Sequence, residues 1–362
     1  MKEKLYLLQA IRGIAAVLVV LHHDSSSSEV YFKSVWLYNF FNSSRALDIF
    51  FVLSGFIITY THIHDLQNRT NTKAFLIKRF IKIYPIFWIV SLIYLIFYLS
   101  VKTNTVHDLT SGFIINSFLL IDTKIPPLVR VAWTLSYEVV FYVAFGTCIL
   151  LGLRIAKFIW LIWLLAIVTC YFILPPESIP YPFKISMFGI LIGCLAGYML
   201  SRMPLNHIPG SAIKLGYKSL ISAGILICLL MWGIEFFTGL LKSTAIVSRV
   251  ILGVGAVFII SGATIANLKN RVNVPKLFLI IGDASYVIYL THYMVLALFY
   301  KTAMRYPQIH SSSFNTFLIG LCAFVAAIIF GIFAHRAIEI PLTKSLSRID
   351  LERNPIPRVN RQ

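Results

Sequence analysis

Charged side chains are scarce in this sequence. Asp, Glu, Lys and Arg make up only 13% of the 362 residues, whereas hydrophobic residues make up 58% and the mean hydropathy is +0.81. A soluble domain needs a far larger share of charged residues, so the composition excludes an ordinary soluble enzyme. It also excludes an outer-membrane barrel, whose strands alternate by residue and contain no long apolar runs. The sequence therefore predicts an all-α integral membrane protein.

Acidic residues and cysteines are also few. The chain has 14 Asp and Glu against 32 Lys and Arg. This basic excess does not indicate nucleic-acid binding, because the Lys and Arg lie in short segments between apolar runs, where they orient a membrane protein. The five cysteines lie within apolar runs and lack any pairing or ligand spacing, so we expect no disulfide framework. His62 and His64 resemble a metal pair, but without a third ligand we expect no metal site.

The apolar runs predict a bundle of about ten transmembrane helices, each close to the roughly 20 residues that cross a bilayer. The predicted spans are residues 5–23, 46–64, 80–101, 131–153, 158–174, 184–201, 219–241, 246–266, 283–304 and 314–338. Residues 35–41 are predicted to lie on the membrane surface, and residues 107–121 to form an interfacial or re-entrant segment. No cleavage site follows the first run, so we expect it to be retained. The predicted domains are a transmembrane domain, residues 1–341, and a basic cytoplasmic tail, residues 342–362.

The distribution of Lys and Arg sets the predicted orientation. Of the 32 basic residues, 20 fall on the same side of the predicted membrane as the N-terminus and 10 on the opposite side. Because cytoplasmic loops carry the excess of Lys and Arg, both termini are predicted to face the cytoplasm. The outer loops are short, so we expect the chemistry to take place within the helix bundle.

The first apolar run contains an arginine and ends in two histidines. Arg12 and His23 are eleven residues apart, which on a helix is roughly 20° beyond three turns and about 16 Å along the axis. A charge within hydrocarbon is costly and usually faces a cavity where it has a function. We therefore expect both side chains to face one water-accessible passage, with His22 turned about 100° away. The alternative is an arginine that snorkels to the interface beside headgroup-level histidines.

Two carboxylates are predicted to lie near His23 in the outer leaflet. Asp48 opens the second span, and Glu138 lies seven residues into the fourth. A carboxylate that orients a histidine is the usual arrangement of a general base, although a proton relay in a transporter uses the same residue types. Arg79 and Lys82 share a helix face at the inner end of the third span. They suit an anionic cytosolic ligand, or else anchor the helix as ordinary positive-inside residues.

Six motifs together resemble the acyltransferase 3 family, integral membrane proteins that acylate extracytoplasmic carbohydrates. The resemblance covers about residues 5–341, and the motifs are Arg12 with His23, residues 48–56, residues 78–85, residues 133–142, residues 285–292 and residues 339–341. The Trp-Thr-Leu-Ser-Tyr-Glu form of residues 133–138 is most similar to the branch that O-acetylates exopolysaccharides and the O-antigens of lipopolysaccharide. Lys82 departs from the pattern, since many relatives have a second arginine there. The chain is expected to be the stand-alone form, without an appended soluble domain.

The resemblance implies a transferase reaction, O-acetylation, in which an acetyl group moves from cytosolic acetyl-CoA to a sugar hydroxyl. His23 is then the general base or an acyl relay, and Arg12 stabilises the thioester carbonyl or a cofactor phosphate. The implied catalytic residues are His23, Arg12, Glu138 and Asp48. The implied cofactor-binding residues are Arg79, Lys82, Tyr84 and Arg12. The implied substrate-binding residues are Trp133, Tyr142, Tyr286 and His292, although packing accounts equally well for Trp133.

The implied partners are a carbohydrate acceptor, which is a polysaccharide or a lipid-linked oligosaccharide, the lipid of the inner (cytoplasmic) membrane, and polysaccharide-assembly proteins. No nucleic acid and no metal are expected. The rival function is a transporter or flippase of a lipid-linked sugar, although the paired repeats that are frequent in transport folds are not visible in the sequence. A second rival is a non-enzymatic partner of a polysaccharide synthase.

Overall fold

The chain folds as a bundle of α-helices. The structure, a computed structural model, describes residues 5–33, 45–100, 110–121, 126–204, 209–238, 245–269, 272–310 and 312–353. These ranges contain no β-strand. Their helices are α1 (Tyr6–Phe32), α2 (Arg45–His62), α3 (Asn71–Ser100), α4 (Ser111–Leu119), α5 (Trp133–Leu151), α6 (Leu153–Ile173), α7 (Ser186–Ser201), α8 (Gly210–Thr238), α9 (Ala245–Lys269), α10 (Lys276–Ala303), α11 (Ser313–Ala334) and α12 (Ile340–Arg353).

Within the described ranges, eight helices are long and apolar enough to cross a membrane, namely α1, α3, α5, α6, α8, α9, α10 and α11. The apolar helices α2 and α7 coincide with the second and sixth predicted spans but are shorter. The outward faces are apolar as well: Phe172 on α6 is 76% exposed and Phe237 on α8 is 83% exposed. A helix that is apolar on every side belongs in a membrane. The all-α membrane fold is thus confirmed, while ten spans and the orientation of the termini stay predictions.

Several helices are longer than the sequence predicts, and α1 and α3 exceed their predicted lengths the most. α1 does not end at His23 but continues to Phe32 through a run of serines. This polar turn is stable in the bundle because the Ser27 hydroxyl donates to the His23 carbonyl oxygen at 2.7 Å and the Tyr300 hydroxyl donates to the Asp24 carboxylate at 3.0 Å. α3 begins at Asn71 rather than at residue 80, and Pro85 lies inside it.

The end of the described chain also differs from the prediction. A π-helical turn, His335–Glu339, joins α11 to α12 just before Pro341, and the His335 ring lies 2.5 Å from the Glu339 carboxylate. The predicted basic tail is therefore helical as far as Arg353. Residues 354–362, like the predicted surface segment 35–41, lie outside the described residues. Of the predicted interfacial segment, α4 forms the central part.

Glycines bring α2 and α7 together backbone against backbone. α7 has a glycine at every fourth position over residues 189–197, and α2 presents Gly55. A Cβ atom at Gly193 would lie 2.2 Å from the Val52 carbonyl oxygen, and one at Gly55 would lie 1.9 Å from the Ile190 carbonyl oxygen. Small residues are the usual means of close helix packing in a membrane, where the lipid is as apolar as the side chains. This contact fixes α2 in the bundle.

α1 and α10 approach each other in the same way. A Cβ atom at Gly282 would lie 2.2 Å from the Gln9 carbonyl oxygen, and one at Gly13 would lie 2.9 Å from the Gly282 nitrogen. The Gln9 amide also donates to the Asp283 carboxylate. Because α1 carries Arg12 and His23 and α10 carries the residues that face them, this contact sets the geometry of the interior.

Candidate active site

A cavity of about 100 Å³ lies between α1, α2, α3, α5 and α10, and we name it the Arg12 cavity. Its polar lining residues are Arg12, Ser54, Arg79, Lys82, Thr134, Glu138, Tyr142, Ser285, Tyr286 and Tyr289. A water molecule in the liquid takes up about 30 Å³, and a drug-sized ligand occupies a pocket of roughly 300–1,000 Å³. The Arg12 cavity therefore has room for a few water molecules or a small chemical group, but not for a nucleotide.

Three cations and one carboxylate share this cavity. Arg12 comes from α1, Arg79 and Lys82 from α3, and Glu138 from α5. Lys82 interacts electrostatically with all three of the others and also with Glu339, which ends the π-helical turn. Charges of one sign gathered between low-dielectric walls attract the opposite charge. The lining of the cavity therefore favours an anionic ligand.

Arg79 is held by several neighbours. Its Nη2 lies 3.2 Å from Nε2 of His62, and its guanidinium carbon lies 5.4 Å from the Phe75 ring centre and 5.7 Å from that of Tyr142. The Tyr142 hydroxyl donates to the Glu138 carboxylate at 3.2 Å. These cation–π contacts and hydrogen bonds keep the guanidinium beside the cavity.

A second cavity, of about 480 Å³, contains the His23 side chain, and we name it the His23 cavity. Its lining residues are His23, Ser26, Ser27, Val30, Tyr31, Pro126, Arg130, Val131, Trp133 and Tyr293. The centre of the His23 ring lies 5.6 Å from that of Tyr293, and the Arg130 guanidinium donates to the Tyr293 hydroxyl at 3.2 Å. The cavity thus combines an imidazole, a cation and aromatic surfaces.

The two cavities adjoin along α5 and α10. Trp133 lines the His23 cavity, and the next residue, Thr134, lines the Arg12 cavity. On α10, Tyr293 lines the His23 cavity, and Tyr289, one turn earlier, lines the Arg12 cavity. Between them, the Tyr289 hydroxyl donates to the Val131 carbonyl oxygen at 2.6 Å and lies 2.8 Å from the Thr134 hydroxyl. We name this contact the Thr134–Tyr289 partition. Arg12 and His23 therefore line different cavities in this structure, and the single passage expected from the sequence stays a prediction.

His292 lies at the partition and is fully buried. The centre of its ring is 5.2 Å from that of His23 and 5.9 Å from that of Tyr289. Its Nδ1 lies 3.1 Å from the Ile288 carbonyl oxygen, which can only accept, so Nδ1 carries the proton. Nε2 then has a lone pair, and this atom has no hydrogen-bond partner among the described residues.

Neither carboxylate predicted to orient His23 lies beside it in the described contacts. Glu138 lines the Arg12 cavity, on the other side of the Thr134–Tyr289 partition. Asp48, on α2, lines neither cavity and forms an ion pair with Arg249 of α9 at 3.3 Å, while Arg249 also donates to the Ser186 hydroxyl at 3.0 Å. The rings packed against His23 are those of His22, His292 and Tyr293.

The ion pair of Asp48 predicts a stability effect. We expect Arg249→Met to lower the free energy of unfolding by about 3–5 kcal/mol, because it removes the positive charge that pairs with this buried carboxylate at 3.3 Å. Adding Asp48→Asn should restore much of the loss, since the buried negative charge is then removed as well. Thermal unfolding of the purified variants in detergent measures both effects. A double variant no more stable than Arg249→Met would contradict this assignment.

The other predicted site residues divide between the cavities. Arg79, Lys82, Tyr142 and Tyr286 line the Arg12 cavity, and Trp133 lines the His23 cavity. The Tyr286 hydroxyl donates to the Ile83 carbonyl oxygen at 2.9 Å. Tyr84 lines neither cavity: its hydroxyl donates to the Leu119 carbonyl oxygen at 3.2 Å, so this side chain reaches toward α4.

Several residues of the site were missed at the level of sequence. Arg130 and Tyr293 lie at the His23 cavity, Tyr289 forms the partition, and His62 contacts Arg79. Tyr289 and Tyr293 flank His292 on α10. Because they are four residues apart, a helical period of 3.6 places both side chains on one face, one turn apart. Nothing in the sequence pairs His62 with Arg79, because that contact depends on how the α2–α3 connection turns.

The comparison with known families decides the class of protein. Residues 5–336 match the model of the acyltransferase 3 family, which is described as an acyltransferase domain. The chain belongs to the acyltransferase 3 family. Together with the apolar helices, this membership makes it a multi-pass membrane acyltransferase.

One curated relative of this acyltransferase is Protein 2 in the picA locus of Rhizobium radiobacter. The two are 35% identical over 86 residues, which is 24% of this chain and 41% of the relative. The alignment thus spans less than half of that protein. No solved structure matches the acyltransferase.

Proposed function

We propose that this acyltransferase moves an acetyl group from cytosolic acetyl-CoA to a hydroxyl of an extracytoplasmic or lipid-linked carbohydrate, in the inner (cytoplasmic) membrane. One observation carries the proposal: a cation-rich cavity and a His23 cavity adjoin at a single hydrogen-bonded partition. An anionic acyl donor requires cationic side chains, whereas a neutral carbohydrate requires aromatic and hydrogen-bonding side chains. Two cavities of these two kinds suit a reaction whose substrates come from opposite sides.

The Arg12 cavity supports an anionic acyl donor. Arg12, Arg79 and Lys82 together exceed the single negative charge of Glu138 in its lining. Coenzyme A carries several phosphate charges, which these cations would attract. Because about 100 Å³ admits only a small group, the narrow arm that carries the thioester passes through the cavity, while the phosphates bind Arg79 and Lys82 at its mouth. Acetyl fits this space better than a long acyl chain does.

The His23 cavity supports a carbohydrate acceptor. It is almost five times larger, with a volume of about 480 Å³. The aromatic side chains of Trp133 and Tyr293 offer apolar faces, while Arg130 and Ser27 offer polar groups for hydroxyls. Pockets for small ligands combine such surfaces with a few polar groups that fix orientation.

The proposed chemistry is a balanced acyl transfer. The acceptor hydroxyl oxygen forms a bond to the thioester carbonyl carbon, and the carbon–sulfur bond breaks. His23 removes the hydroxyl proton, which then passes to the departing thiolate to give coenzyme A and the ester. Arg12, on the donor side of the partition, stabilises a phosphate of the donor. The thioester must pass the Thr134–Tyr289 partition, so these two side chains separate during each cycle.

The experiment that tests the function compares surface glycans in cells with and without this protein. We expect cells that lack it to make normal amounts of the glycan with fewer acetyl esters, measured by mass spectrometry after mild release. Purified enzyme supplied with radiolabelled acetyl-CoA and the isolated glycan should transfer label. Loss of the glycan itself would instead support a flippase or a synthase partner.

Lys82 and Lys78 provide a matched test of the donor site. Both are lysines on α3, but only Lys82 lines the Arg12 cavity. We expect Lys82→Ala to raise KM for acetyl-CoA about tenfold, as the loss of one charge-assisted hydrogen bond does, and Lys78→Ala to leave KM unchanged. Steady-state kinetics of the purified variants at constant ionic strength measures this. Equal effects at the two positions would argue against Lys82 as a donor contact.

A further inference from the structure

Arg79 is linked to a carboxylate through a histidine. Nη2 of Arg79 lies 3.2 Å from Nε2 of His62, and Nδ1 of His62 lies 2.6 Å from Oδ2 of Asp65. The Asn71 side-chain amide donates to the other oxygen of Asp65 at 2.8 Å. The result is a continuous chain of polar contacts from the α2–α3 connection to the Arg12 cavity.

The chemistry of the two neighbours fixes the state of the His62 ring. A guanidinium only donates hydrogen bonds, so Nε2 of His62 must accept from Arg79. An ionised carboxylate only accepts, so Nδ1 of His62 must donate to Asp65. Only the neutral imidazole with its proton on Nδ1 meets both conditions. Asp65 therefore selects the tautomer that can hold Arg79.

This arrangement differs from a direct ion pair. Because a neutral ring separates Arg79 from Asp65, the carboxylate does not occupy the donors of the guanidinium. The Arg79 Nε atom is buried and has no hydrogen-bond partner among the described residues. A buried donor without a partner is costly, and an anionic oxygen at the cavity would satisfy it.

We propose that His62 and Asp65 are positioning residues that orient Arg79 toward a phosphate of the acyl donor. The proposal rests on the proposed function, because the donor named there supplies the phosphate. His62 fixes one edge of the guanidinium, and the Phe75 and Tyr142 rings pack near it. Together these contacts leave the remaining N–H groups available for the ligand.

Binding of coenzyme A to the purified full chain in lipid nanodiscs tests the proposal. By calorimetry, we expect His62→Ala to weaken binding about tenfold, and His62→Gln, whose side-chain oxygen still accepts from Arg79, to weaken it far less. His64→Ala is the matched control, because this nearby histidine is exposed. Steady-state kinetics should show the loss in KM for acetyl-CoA and not in kcat.

A double-mutant cycle separates positioning of Arg79 from general damage. If His62 acts through Arg79, then His62→Ala has no further effect on binding in an Arg79→Ala background. Asp65→Ala should behave like His62→Ala, which keeps the test usable if one of the two folds poorly in a thermal unfolding assay. If the losses of binding free energy from His62→Ala and Arg79→Ala add, or if His62→Ala binds coenzyme A as the unaltered protein does, this inference is wrong. The proposed function is not affected by either result. Absence of coenzyme A binding by the unaltered protein overturns the proposed function and this inference together.

Discussion

Replacing His23 with alanine should lower the rate of acyl transfer by ~10²–10⁴-fold, the usual contribution of a general base. In cells, we expect the surface glycan to lose its acetyl esters. His23 is the one imidazole that lines the acceptor-side cavity in the described part of the chain, so no neighbour replaces it. Membrane abundance should not change, because the deletion leaves a space beside an existing cavity. The measurement is acetyl release from the isolated glycan, with immunoblotting of membranes for abundance.

His22 provides the control for this prediction. It precedes His23 on α1, and the two rings pack edge to face with centres 4.9 Å apart. Because His22 does not line the His23 cavity, we expect His22→Ala to retain most of the activity. Equal losses of activity from His22→Ala and His23→Ala would contradict the assignment of the general base to His23.

Gly193→Val should prevent the bundle from assembling. The added Cβ atom would lie 2.2 Å from the Val52 carbonyl oxygen, a backbone atom of α2 that cannot turn aside. Overpacking usually costs about 1–3 kcal/mol, and here we expect more than ~3 kcal/mol because only a backbone shift relieves the clash. Size-exclusion chromatography in detergent should show aggregated protein, and thermal unfolding a large loss of stability.

Gly233 is the matched control. It also lies within a membrane helix, α8, but a Cβ atom there would have no neighbour within 4 Å. We therefore expect Gly233→Val to give monodisperse protein with nearly unchanged thermal stability. Comparable damage at both positions would mean that loss of glycine flexibility, and not the α2–α7 contact, is responsible.

The helices were largely predictable, because a membrane segment must satisfy its backbone internally and be apolar outside. The errors lie where polar residues continue a helix. The first predicted span ends at residue 23, yet α1 continues to Phe32, and Tyr300, far along the chain, stabilises the extra turns. No local pattern contains that contact. The early start of α3 likewise places Arg79 well inside a helix instead of at its first turn.

Most residues of the candidate site could be predicted from the sequence, but not which of them line the same cavity. Arg12 was expected to face an interior, and it does line a cavity. Glu138 was assigned to His23 because the two have similar predicted depths, but depth along a helix does not specify the facing neighbour. Trp133 and Glu138 lie on one helix and line different cavities. Only packing between helices, through contacts such as Gly13 with Gly282, determines which side chains meet.

The Thr134–Tyr289 partition has a consequence for the cell as a whole. An open water-filled pore across an energised membrane would let ions and protons leak down their gradients. Tyr289 is hydrogen-bonded to Val131 and lies 2.8 Å from the Thr134 hydroxyl, and this contact lies where the Arg12 cavity and the His23 cavity adjoin. We therefore expect the purified protein in lipid vesicles to conduct no ions.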